Sequence, residues 1–276
     1  MSKNLGVVCV LGILLSLGAS VRAQCWSVSA GANSSAKGTI RPSSANRYEA
    51  ILLEMEPILQ KSMGLTSKVY LSEEEGERAS ADAATGQIYF GKKIFDYLEG
   101  KLGAKINYPN PKSDPIPIGI KFILAHEYAH QFQFLMFKRK KIALAASKPV
   151  DELQADILAG YALSSYFYNK FSDLPEQKRV NRVWDEISNA VFVVSNLGDN
   201  FFMDKDHHGN SYSRTECLMY GFYAVVKNQF EPRTMMIVSR PDEIYNWSRC
   251  LAEETFNNQH NSKFFNAQEV IPKRKC

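Results

Sequence analysis

The chain has 276 residues, 45% of them hydrophobic and 22% charged, a balance that supports a sizeable core and excludes a disordered polymer. Its formal charge of +4, spread without a basic stripe that interleaves with aromatics, lacks the electrostatic footprint of nucleic-acid binding, so no nucleic acid is expected as a partner.

The first element in chain order reads as an export signal. Lys3 precedes an uncharged apolar run from Leu5 to Ala19, and Val21-Arg22-Ala23 then stands before Gln24; together these form the basic, apolar and cleavage regions of a secretory signal over residues 1–23. The run is too short to span a bilayer and no later stretch resembles it. The expectation is an exported protein, periplasmic or secreted, with no membrane span left after cleavage. Cys25, Cys217, Cys250 and Cys276 would remain, without the C-x-x-C spacing of a zinc knuckle or redox site. Structural disulfides, in any of three pairings, or buried thiols are expected of them.

Residues 24–46 are rich in Ser, Ala and Gly and read as a flexible tether, with residues 47–276 as one domain. Tyr48, Ile51, Leu52, Met55, Ile58 and Leu59 recur at helical spacing and Gly64 supplies a stop. Lys68-Val69-Tyr70-Leu71 and Gln87-Ile88-Tyr89-Phe90 read as strands, separated by an acidic and small-residue stretch from Glu73 to Gly86. Helical patterns dominate from Gly119 onward: Ile118 to Lys140, Val150 to Phe171, Glu176 to Leu197, Tyr212 to Phe230 and Pro241 to Asn257. Few strands, all early, followed by helices predict an α+β fold with a small sheet packed on a mostly helical domain. The basic run Lys138 to Lys141 falls at a helix end, where cations complement the negative terminus.

The chemistry sits in the first long helix of that group. His126-Glu127-Tyr128-Ala129-His130 reads H-E-x-x-H inside an apolar segment. A 3.6-residue repeat puts His126 and His130 one turn apart on one face, where both imidazoles can reach one zinc ion, with Glu127 beside them. Metal-assisted hydrolysis needs that set: an ion to acidify a water and polarise a carbonyl, and a carboxylate to take the proton. Zinc needs a third protein ligand, and Glu152 and Asp156, again four residues apart, follow after a helix break. Glu152 is expected as that ligand, and Asp156 as the acceptor behind a ligand histidine that fixes its tautomer. Ala155, Ala159, Gly160 and Ala162 would keep the second helix slender and let it approach the first.

An H-E-x-x-H helix followed by a helix carrying E-x-x-x-D resembles the gluzincin branch of the zincin metallopeptidases. Glu152-Leu153-Gln154-Ala155-Asp156, followed by Ala159-Gly160-Tyr161, is similar to the neutral zinc metallopeptidases of bacteria in particular. A later H-G segment with an arginine and a glycine recurs in that family, and His208-Gly209, Arg214 and Gly221 look like it. The resemblance runs from about Ile118 to Phe222. It implies a zincin-like fold, one catalytic zinc, hydrolysis of peptide or protein substrates, and a sheet edge near Ile88 to Phe90 that aligns the substrate backbone.

Around His208 two readings compete. His208, or Tyr212 beyond it, would point a donor at the oxyanion formed opposite the metal, or the segment is a polar loop and helix cap. Asp204-Lys205-Asp206-His207-His208-Gly209 echoes a calcium loop, but His208 and Thr215 stand where its acidic ligands belong. Arg214 reads first as half of a structural ion pair. Two functions follow: a zinc metallopeptidase with ligands His126, His130 and Glu152 and base Glu127, or a non-catalytic, zinc-stabilised binding or scaffold protein. Glu127 speaks for the first, since a structural site gains nothing from a carboxylate that binds no metal.

Overall fold

The computed structural model describes residues 39–102, 114–142, 149–197, 211–227 and 237–258. Helix α1 (Arg47–Met63) opens on Asn46, whose side chain accepts from the amides of Tyr48 and Glu49, and ends at Gly64 in the left-handed conformation. Three strands follow, β1 (Val69–Ser72), β2 (Ala79–Asp82) and β3 (Gln87–Gly91), and then α2 (Ile94–Leu102). The helical part comprises α3 (Pro115–Lys140), α4 (Pro149–Lys170), α5 (Glu176–Leu197), α6 (Ser211–Val226), a 3-10 turn (Ile237–Ser239) and α7 (Pro241–Asn258). The α+β architecture is as expected: a small mixed sheet beside a mostly helical body, with the histidine pair on α3.

The strand order is β1-β3-β2, with β1 parallel to β3 and β2 antiparallel to it. This corrects the expectation of a sheet edge near Ile88 to Phe90: β3 is the central strand, and its backbone is paired on both sides, Phe90 with Leu71 and with Ala79. A paired strand has no backbone donors left to align a peptide. The strand displacing it, β2, is Ala-Ser-Ala-Asp and lacks the β-branched and aromatic residues that announce a strand. Its small side chains lie fully buried where α3 packs on it. On the far side β1 takes a single antiparallel bridge, Leu71 to Ile40, and Arg41 pairs with Glu56 of α1. Residues from Thr39 to Asn46, assigned by composition to the tether, are thus tied to the fold; residues 1–38, which include the expected signal and the rest of the expected tether, lie outside the described residues.

Helices α3 and α4 occupy the centre. Asp114 caps α3 through the amide of Ile116, with Pro115 at the first helical position, so the helix starts three residues before Ile118. It ends at Lys141 in the left-handed conformation, with Lys138, Arg139 and Lys140 in the last turn, as the basic run suggested. Both central helices are buried around nearly their whole circumference. Helix α1, the sheet and α5 surround α3, while α5, α6 and α7 surround α4. Among the described residues no helix is long and apolar enough to cross a membrane.

Helix α4 packs on α3 as expected, and Gly160 of its slender face serves a second neighbour, α6. A Cβ on Gly160 would lie 2.2 Å from the carbonyl oxygen of Leu218, and one on Gly221 would lie 2.2 Å from the amide nitrogen of Tyr161. The two glycines therefore let α4 and α6 touch backbone to backbone, which sets Arg214 of α6 against Asp156 of α4. Of the cysteines, Cys217 is a buried free thiol inside α6 and Cys250 is disulfide-bonded, so both expected states occur.

Gly160→Ala and Gly221→Ala should each lower stability by about 1–3 kcal/mol, because backbone must move to admit the methyl group. Gly100→Ala on α2, where a Cβ meets nothing within 4 Å, should be neutral or stabilise by up to ~1 kcal/mol. Urea unfolding of the three variants checks the contrast.

Candidate metal centre

The site is built where the middle of α3 passes the first turns of α4. His126, Glu127 and His130 are at most 1% exposed, and Glu152 and Asp156 are 2% and 0% exposed. Helical spacing turns both imidazoles to one side, edge to face with centroids 4.6 Å apart. His126 Nε2 lies 3.0 Å from His130 Nε2 and 3.1 Å from Glu152 Oε2, and His130 Nε2 is 3.5 Å from Glu152 Oε1. One ligand atom from each of these three residues falls within 4.8 Å of the others.

The outward nitrogens explain why these distances imply a cation. His126 Nδ1 donates to Asp156 Oδ1 at 2.8 Å, and His130 Nδ1 donates to Gln133 Oε1 at 2.7 Å. A neutral imidazole with its proton on Nδ1 carries a lone pair on Nε2. Two such lone pairs and a carboxylate then converge in a buried space. Such an arrangement repels itself unless a proton or a metal ion sits among the donors. Two imidazoles and one carboxylate are the donor set of a transition-metal site, and the residues present fit one.

The metal-free electrostatics agree. Burial opposes charge on His126, yet the carboxylates of Asp156 and Glu152 outweigh it and push its pKa up to about 10. His130 is raised as well, against burial, by Glu152 and by the charge of Glu127. Asp156 is buried, which favours its neutral form, but the guanidinium of Arg214 and the imidazole of His126 hold it below the usual carboxylate range. Arg214 Nε donates to Asp156 Oδ2 at 2.8 Å and its Nη2 to Oδ1 at 2.9 Å. This fork leaves Asp156 one well-placed acceptor for His126 and keeps it ionised.

The sequence-predicted residues His126, Glu127, His130, Glu152 and Asp156 are brought together, and Arg214 forms the ion pair first read for it. His208 and the calcium-like segment around it lie outside the described residues. Tyr212 stands on the first turn of α6, 52% exposed. Three further residues hold the site and are given no role by the sequence analysis. Gln133 and Gln154 extend the contact of His130 to α7, and Gln131 Nε2 donates to the carbonyls of Asp82 and Gln87 at 3.0 and 2.9 Å, tying α3 to the turn between β2 and β3. A glutamine three residues from a histidine on a helix would have pointed to Gln133.

Compared with models of known protein families, with curated proteins and with solved structures, the chain finds no match in any of the three.

With its pKa near 10, His126 is protonated at pH 7 in the metal-free chain, and a bound ion takes that proton's place. Metal loading at pH 7 should release about one proton per site, and affinity should weaken about tenfold per pH unit as the pH falls. Calorimetry in buffers of different ionisation enthalpy counts the protons. The same imidazolium stabilises the metal-free fold fully below the ordinary histidine pKa near ~6.5, and that contribution is lost as the pH rises through about 10. Arg214→Met leaves the Asp156 carboxylate buried without its guanidinium and should cost about 3–5 kcal/mol in chemical unfolding.

Proposed function

We propose that this chain is an exported zinc metallopeptidase of zincin-like type, in which His126, His130 and Glu152 hold the ion and Glu127 is the general base. The observation that carries the reading is the convergence of two imidazole nitrogens and one carboxylate within 4.8 Å, on helices that keep all three buried. Among the described residues this cluster offers three protein donors, the number that leaves a catalytic zinc a position for water or substrate; structural zinc is normally closed by four. The likeness of the two motif helices to the gluzincins points the same way.

Zinc, when bound, would acidify a water and polarise the scissile carbonyl. The protein's part follows from its own groups. Glu127, next to His126 on α3 and buried with the ligands, is assigned by this reading to take a proton from the attacking water and return it to the leaving amine. Asp156, locked by Arg214, keeps His126 turned with Nε2 inward. His208, from the segment before α6, is assigned as a donor to the oxyanion, with Tyr212 as its alternative. Export rests on residues 1–23, and the substrate class, a peptide or protein, rests on the motif.

Glu127→Gln should retain about one equivalent of zinc and lose hydrolysis of unfolded casein by roughly a hundredfold or more, since only the proton acceptor is removed. Elemental analysis and a chelator-sensitive cleavage assay on the same preparations read both. An active Glu127→Gln protein rejects the mechanism. A zinc-loaded wild type that cleaves nothing favours the binding or scaffold alternative.

A further inference from the structure

The two ligand imidazoles are backed in different ways. His126 leans on a carboxylate that is clamped by a guanidinium. His130 leans on a neutral amide, and that amide belongs to a buried chain. Gln133, 1% exposed, accepts from His130 Nδ1 through Oε1, and its Nε2 donates to the carbonyl of Asp151 at 2.7 Å and to Gln154 Oε1 at 3.1 Å. Gln154, 0% exposed, donates in turn through Nε2 to the carbonyl of Tyr245 and to Ser248 Oγ, each at 3.0 Å. Ser248 Oγ donates to the same Tyr245 carbonyl at 3.0 Å.

The polarity of this chain is decided at its far end. The carbonyls of Asp151 and Tyr245 can only accept, so the NH2 groups of both glutamines must face them. Both side-chain oxygens then point back toward α3. An oxygen facing His130 Nδ1 can only accept, so the imidazole proton must sit on Nδ1, and Nε2 keeps its lone pair on the side of His126 and Glu152.

We infer that Gln133 and Gln154 are positioning residues: an amide relay, anchored on backbone carbonyls of α4 and α7, that holds His130 in its metal-binding tautomer. The inference rests on the metal-centre reading above. It also accounts for an amide where a carboxylate often stands behind a ligand histidine. A glutamate at 133 could not donate to Asp151 or Gln154. It would also add a buried negative charge to a centre in which Arg214 already balances Asp156, and in which Glu127 and Glu152 match a divalent ion.

The test uses the full chain as wild type, Gln133→Met and Gln154→Met, with zinc affinity measured by competition against a chromophoric chelator and folding checked by circular dichroism. Gln133→Met should bind zinc roughly 10–100-fold more weakly with its helix content unchanged. Gln154→Met should lose less, a few-fold, because Gln133 keeps the Asp151 carbonyl. A folded Gln133→Met protein with wild-type affinity overturns the relay while leaving the metal centre standing. A wild type that binds no zinc overturns both. Should Gln133→Met not fold, long-range proton–nitrogen correlation of histidine-labelled, zinc-loaded wild type decides: a proton on His130 Nδ1 upholds the relay, and a proton on Nε2 overturns it.

Discussion

Two imidazole nitrogens 3.0 Å apart, each turned toward the other by a hydrogen bond behind it, set the terms on which α3 and α4 can pack. Helices buried on all sides are ordinarily apolar throughout, because each polar group taken from water must find a partner. Here two histidines, three carboxylates, two glutamines and an arginine lie at or below 4% exposure within a few turns. A lateral slip of a single residue would leave several of them without partners at once. The packing is therefore fixed less by how well its apolar side chains interlock than by the matching of donors with acceptors.

That matching divides between two devices of opposite electrical character. On one side a guanidinium and a carboxylate cancel each other and present one oxygen to His126. On the other a line of amide dipoles ends on backbone carbonyls and presents one oxygen to His130 without introducing charge. Each device belongs to a different outer helix, α6 for the ion pair and α7 for the amides. The close approach of Gly160 to Leu218 and of Gly221 to Tyr161 brings the first within reach, and the Asp151–Arg249 pair helps seat the second. The outer helices thus do more than cover apolar surface.

Much of this was legible in the sequence, and the exceptions have physical causes. Helices with a clear period were placed within a few residues, Glu176–Leu197 at both ends. His126, Glu127, His130, Glu152 and Asp156 announced themselves because their spacing equals one helical turn, so that pattern and geometry coincide. Strand β2 was hidden because a strand of alanine and serine is stabilised by what packs on it and has little propensity of its own. Without β2 the sheet order cannot be read from the sequence, and an edge position for Ile88 to Phe90 rests on the family resemblance alone. The roles of Gln133 and Gln154 are hidden because a glutamine on a helix is ordinarily solvated, and the far partners of Gln154, Tyr245 and Ser248, are not given by local spacing. The small residues of α4 are visible in the sequence, but composition does not name α6 as the helix that Gly160 meets.

The placing of those far partners bears on how the centre comes into being. Tyr245 and Ser248 lie 91 and 94 residues further along the chain than Gln154. A nascent chain that has emerged through α4 holds His126, His130 and Glu152, yet Gln154 then lacks both of its anchors on α7. Helices α3 and α4 can meet early as local neighbours, whereas α7 docks only after a long loop has closed. Assembly is accordingly ordered in time. The donors gather first and their orientation is locked last, so a partly synthesised chain carries a looser cluster than the finished fold.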